Sequence, residues 1–155
     1  MTDSEFDADL SAHIDRALLW VLMKHAAPII AGKPCLLKQA QYATDKGWGF
    51  MSVNMQGTPV VSLSPGLKDY GDREYLRVYL HELAHVKFHS QNYVRSTIDQ
   101  ESPDFDIPVN TVVEDQADKQ ANEWLEYGDK HRDQNKPYAN GVILALVDYY
   151  TKGKK

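Results

Sequence analysis

His81-Glu82-Leu83-Ala84-His85 places two imidazoles and a carboxylate within five consecutive positions. On a helix, residues four apart share a face one turn along, so His81 and His85 can aim at one metal ion. Zinc accepts imidazole nitrogens in this arrangement. Glu82, one step round the helix, can reach a water at that metal as general base. The bland reading of the same five residues is an exposed amphipathic helix that carries two histidines by chance.

A catalytic zinc takes three protein ligands and keeps one position open, and two histidines with one glutamate form such a set. The stretch from Val113 to Leu125 supplies a candidate. It reads as a helix burying Val113, Ala117, Ala121, Trp124 and Leu125, with Glu114 and Asp118 four apart on one face. A ligating histidine commonly donates its second ring N–H to a carboxylate, so Glu114 suits the metal and Asp118 suits the histidine behind it. Asp115, Glu123 and Glu126 read as solvated. The acidic segment 90–110, with Asp99, Glu101, Asp104 and Asp106, offers other third ligands. It reads first as a solvated loop and second as a substrate lid.

The motif needs elements to position it. Around it, Leu76, Leu80, Leu83 and the stem of Lys87 form a stripe facing a core. Val78, His81, Glu82, His85 and His89 fall on the other side, and Asp72 after Gly71 serves as N-cap. Upstream, Ser4-Glu5-Phe6-Asp7 has the form of a capping box. Phe6, Leu10, Ile14, Ala17, Leu18, Val21 and Leu22 then recur at helical spacing, in a first helix expected to end before Pro28. Its His13 and His25 have no partner at ligand spacing. The run 34–38 is a short strand or the start of a second helix through Tyr42. Asp45-Lys46-Gly47 marks a turn, and residues 48–55 and 58–64 around Gln56-Gly57 predict a β-hairpin, its second strand broken at Pro65-Gly66. Pro59 suggests that the second strand is an edge, where an extended peptide could add by main-chain pairing. Residues 129–140 read as a polar loop. Residues 141–150 read as a short apolar helix closing the core, with a buried strand as the alternative. The predicted class is therefore α+β: a helical body with a small antiparallel sheet beside the H-E-x-x-H helix, a zincin-like arrangement, in a single domain spanning 1–155.

Composition narrows the function classes. The chain has 155 residues, 43% hydrophobic and 25% charged, which suits an ordered globular domain rather than a disordered one. A formal charge of −5, with Lys152-Gly153-Lys154-Lys155 as its one basic cluster, gives no footprint for direct nucleic-acid binding. No apolar run approaches a membrane span. The acidic start, Met1-Thr2-Asp3-Ser4-Glu5, is unlike a signal peptide. A lone Cys35 allows no internal disulfide and reads as a small buried side chain, so a cytoplasmic location is expected.

His81 to His89 also has the form H-E-L-[GA]-H-x-x-x-H. Glu114-x-x-Ala117-Asp118-x-x-Ala121-x-x-Trp124-Leu125 follows, Glu114 lying 29 positions after His85. Together these resemble the ImmA/IrrE family of zinc metallopeptidases, and residues 59–64 resemble the strand that precedes its helix. The resemblance covers residues 48–126. The chain departs from the pattern at Gln120, where the family has Phe, and at Leu125-Glu126-Tyr127, where it has Leu-Met-Pro. The resemblance implies His81, His85 and Glu114 as zinc ligands, Glu82 as catalytic base and Asp118 as the carboxylate behind a ligand. It also implies cleavage of a transcriptional regulator in a phage, mobile-element or stress response. Because the chain shows no helix-turn-helix module of its own, that protein substrate would be a separate helix-turn-helix regulator. Tyr93, Tyr127, His131 and Tyr138 are candidates to stabilise the oxyanion. Two other classes stay open: a catalytically inactive, zinc-stabilised module that binds a regulatory partner, and another zinc hydrolase such as a deformylase. The latter uses a cysteine ligand, and Cys35 has no matching motif.

Overall fold

The computed structural model describes the backbone of residues 3–39, 49–64, 71–89 and 111–152, and the side chains of 17–39, 49–64, 71–88 and 112–152. The predicted turn at Asp45-Lys46-Gly47, the break at Pro65-Gly66 and the acidic segment 90–110 lie outside them. So do Tyr93, the four candidate carboxylates of that segment and the lysine tail beyond Lys152. In chain order the elements are α1 (Asp3–Ala31), β1 (Leu36–Gln39), β2 (Gly49–Val53), β3 (Pro59–Leu63), α2 (Asp72–His89), α3 (Thr111–His131) and α4 (Tyr138–Lys152). The described residues are mostly helical with one small three-stranded sheet, an α+β arrangement.

The predicted hairpin is present. β2 and β3 pair antiparallel from Gly49↔Leu63 to Val53↔Pro59. Asn54 organises the turn: its Oδ1 accepts from the backbone N–H of Gln56 at 3.0 Å and of Thr58 at 2.9 Å. Gly57 supplies the positive φ of 83° that an L side chain resists. The sheet as a whole is mixed, not antiparallel, because β1 runs parallel to β3 from Leu36↔Val60 to Gln39↔Leu63. The segment that could have been strand or helix is thus a strand. The strand order β1-β3-β2 makes β3 the central strand, correcting the edge inferred from Pro59. Pro59 is the first residue of β3 and precedes the β1 ladder, so its missing N–H breaks no pairing there. β2 is an edge of the sheet.

α1 also outlasts its predicted end. Pro28 lies inside the helix, which continues to Ala31 and closes with the Gly32 N–H donating to Pro28 O at 3.0 Å. Gly32, at φ 76°, then ends it in the left-handed region. Packing overrides the proline: Met23, Ala26, Ala27, Ile30 and Ala31 are all buried. The hydroxyl of the fully buried Tyr79 on α2 donates to Met23 O at 2.7 Å.

α2 is the centre of the molecule, touching α1, α3, α4, β2 and β3. Its first turn closes with Tyr75 N–H donating to Gly71 O at 3.0 Å, so Asp72 is the first helical residue and not the cap. There, with Glu74, it complements the positive end of the helix dipole. Leu76, Leu80 and Leu83 are buried as predicted, but so are Val78, Tyr79, Glu82, Ala84, His85 and Val86. The side away from the leucine stripe is covered by α3 and β2, which sequence periodicity alone does not reveal. α3 passes through Gly128 to His131. A Cβ at 128 would lie 2.4 Å from Val142 Cγ1, so this glycine permits a close helix crossing rather than ending α3. α4 is the predicted terminal helix, longer by three residues at its start and two at its end, and buries Ala139, Val142, Ile143 and Leu146. No helix among the described residues is long and apolar enough to cross a membrane.

Candidate metal centre

The burial of α2 brings His81 and His85 under α3. Glu114 of α3 faces His85 and His81, Asp118 faces His81, and Asp129 pairs with Arg73 near the start of α2. The two helices are therefore antiparallel neighbours. Ala84 on α2 and Ala117 and Ala121 on α3 are all buried, and such small side chains let packed helices approach closely.

Four atoms converge. His81 Nε2 lies 2.9 Å from Glu114 Oε2 and 3.1 Å from His85 Nε2, and His85 Nε2 lies 3.2 Å from Glu114 Oε1. The three side chains offer ligand atoms all within 4.8 Å of one another. His81 Nδ1 stands 2.7 Å from Asp118 Oδ1. A carboxylate only accepts, so Nδ1 carries the hydrogen, and a neutral His81 then presents its Nε2 lone pair to Glu114 and His85. Lone pairs gathered this closely repel unless a proton or a cation sits among them. Two nitrogens each bound to one tetrahedral zinc at about 2.0–2.1 Å stand about 3.3 Å apart, which matches the observed separation. The residues fit a divalent metal: two imidazoles, one carboxylate, and a carboxylate behind the first imidazole. The imidazoles form the floor, with side-chain exposures of 14% and 3%, and Glu114 and Asp118 form the rim at 41% and 52%.

Glu82 is buried. Burial pushes its carboxyl from 4.5 up to about 7; His81 opposes the shift, and Glu114 and Asp118 add to it. It lies against the edge strand: a Cβ on Gly49 would come within 3.3 Å of Glu82 Cγ and 3.1 Å of Val78 Cγ1. Gly49 was not singled out by sequence reasoning. Its only signal was a glycine within a strand, which often marks close approach of another group.

Other candidates lie elsewhere. Tyr127 stacks on His131 with centroids 4.2 Å apart and meets Tyr149 edge-on. Tyr127 is 13 positions along α3 from Glu114, about 20 Å at helical rise. Tyr138 donates to Asp129, further still from Glu114. None of these three is brought to the ligand cluster. Cys35 is buried, with its thiol pushed up to about 12 by desolvation, and takes no part in the cluster. Comparison of the chain with family models, curated proteins and solved structures returns no match.

Proposed function

We propose that the protein is a zinc-dependent metallopeptidase of the zincin type, active in the cytoplasm. The observation that carries this reading is the convergence of His81 Nε2, His85 Nε2 and the Glu114 carboxylate, with Glu82 buried on the same helix. His81, His85 and Glu114 would hold the metal, and Asp118 would hold the His81 tautomer. Bound zinc would supply Lewis-acid polarisation of a carbonyl and a lowered pKa for water. Glu82, whose raised pKa lies near neutrality, is suited to accept a proton from the attacking water and return it to the leaving amine. Of the two outer strands, β1 and β2, the one beside Glu82 is β2, whose first residue lies against it, so an extended peptide would add there and not at β3. The resemblance to the ImmA/IrrE family supports a separate helix-turn-helix regulator as the protein substrate.

The test combines metal content with a trap. Wild type should hold one zinc per chain, and His81→Ala and His85→Ala should lose it. Glu82→Gln should keep zinc and retain a partner from a host lysate that wild type cuts in a chelator-sensitive reaction. Protein that takes up no zinc refutes the reading. Zinc-loaded wild type that holds the same partner uncut supports a binding module instead.

A further inference from the structure

Glu74, Arg77 and His81 follow one another along one face of α2, three and four residues apart. Arg77 donates from Nε to both carboxylate oxygens of Glu74, at 3.2 and 3.0 Å, and from Nη2 to Oε1. Its other terminal nitrogen, Nη1, lies 3.9 Å from Asp118 Oδ1. That oxygen is the one 2.7 Å from His81 Nδ1. Asp118 Oδ1 is thus flanked by a ring N–H and a guanidinium.

We infer that Arg77 is a positioning residue for the metal centre: braced by Glu74, it keeps Asp118 turned toward His81. This rests on the metal reading above. The Asp118 side chain is 52% exposed, so water competes with His81 for its carboxylate. At 3.9 Å the guanidinium attracts Oδ1 without a hydrogen bond that would displace the ring N–H. Glu74 decides this geometry. An unbraced arginine fork would grip a nearby carboxylate with two hydrogen bonds and draw it off the histidine. With Nε and Nη2 committed to Glu74, only Nη1 faces Asp118. Asp118 in turn keeps the hydrogen of His81 on Nδ1 and the Nε2 lone pair toward Glu114 and His85.

Removing Arg77 has two opposed effects on a bound cation. It deletes a positive charge, which favours the cation, and it releases Asp118, which disfavours it. The guanidinium is 38% exposed and screened by water, so the first effect is small. Loss of a carboxylate behind a ligand weakens metal binding about 10–100-fold, and loosening it costs part of that. The net expectation is weaker zinc.

Zinc affinity is measured by competition with a chromophoric chelator at one pH, for wild type, Arg77→Met, Asp118→Asn and the double variant. The unfolding of each metal-free protein serves as control. Arg77→Met should weaken zinc about three- to tenfold, and should add nothing in the Asp118→Asn background, the signature of coupled residues. A merely structural Glu74–Arg77 pair would lower metal-free stability equally in both backgrounds and leave zinc affinity alone. Unchanged affinity in Arg77→Met, or equal losses in both backgrounds, overturns the inference while the metal reading stands. Wild type that takes up no zinc overturns both.

Discussion

Glu82→Gln should stabilise the metal-free protein, and only above mildly acid pH. In the folded chain the Glu82 carboxyl is pushed from 4.5 to about 7, chiefly by burial. The folded state therefore holds this proton more tightly than the unfolded state. Stability falls as pH rises through the interval from 4.5 to about 7 and levels off above it. At about 1.4 kcal/mol for each tenfold, the full cost of ionising Glu82 in place is about 3 kcal/mol. Glutamine has nearly the same shape and no charge to desolvate. The variant and wild type should thus be similar near pH 4.5 and separate by about 3 kcal/mol near pH 8.5, with the variant more stable. Urea unfolding of chelator-treated protein at several pH values measures this separation. With zinc loaded, the nearby divalent charge favours the ionised carboxylate, so the gap should shrink. A difference that stays constant from pH 4.5 to 8.5 would refute the burial argument. A wild type that gains on the variant as pH rises would reverse its sign.

Glu114→Ala should all but abolish zinc binding, whereas Asp118→Asn should weaken zinc or activity by roughly 10–100-fold; titration of both by metal competition separates a ligand from its support. Gly49→Ala should cost about 1–3 kcal/mol in stability, because the new methyl would meet the buried Leu63, Val78 and Glu82 side chains at 3.1–3.3 Å. It should also lower turnover more than zinc affinity by pressing on Glu82, as steady-state kinetics beside metal titration would show. Gly128→Ala drives a Cβ into Val142, including its backbone, and should lose about 1–3 kcal/mol by thermal unfolding. A neutral result there would mean that α3 and α4 can part at little cost.

The five residues from His81 to His85 were legible because an i, i+4 pair is a local property: helix geometry puts both rings on one side whatever the tertiary context. Glu114 and Asp118 were legible as a pair for the same reason. That they meet His81 and His85 is a fact about two helices lying antiparallel, and no local pattern states it. The hairpin was readable because Gln56-Gly57 marks a turn between two strand-like runs; that Asn54 organises this turn is shown by its hydrogen bonds. The parallel partner β1 was not, since Leu36 and Val60 meet across a long separation. Pro28 and Gly128 look like helix breakers by type. Packing around Ala27 and Ile30 holds α1 together past the proline, and the need to admit Val142 explains the glycine. Local chemistry, then, was set by residue type and spacing: which groups could bind a metal, and which carboxylate could act as base. Burial was set by the fold alone. Covering α2 with α3 and β2 raises the Glu82 pKa, orients His81 through Asp118 and brings Arg77 near Asp118, because desolvation and distance exist only once the chain has closed on itself.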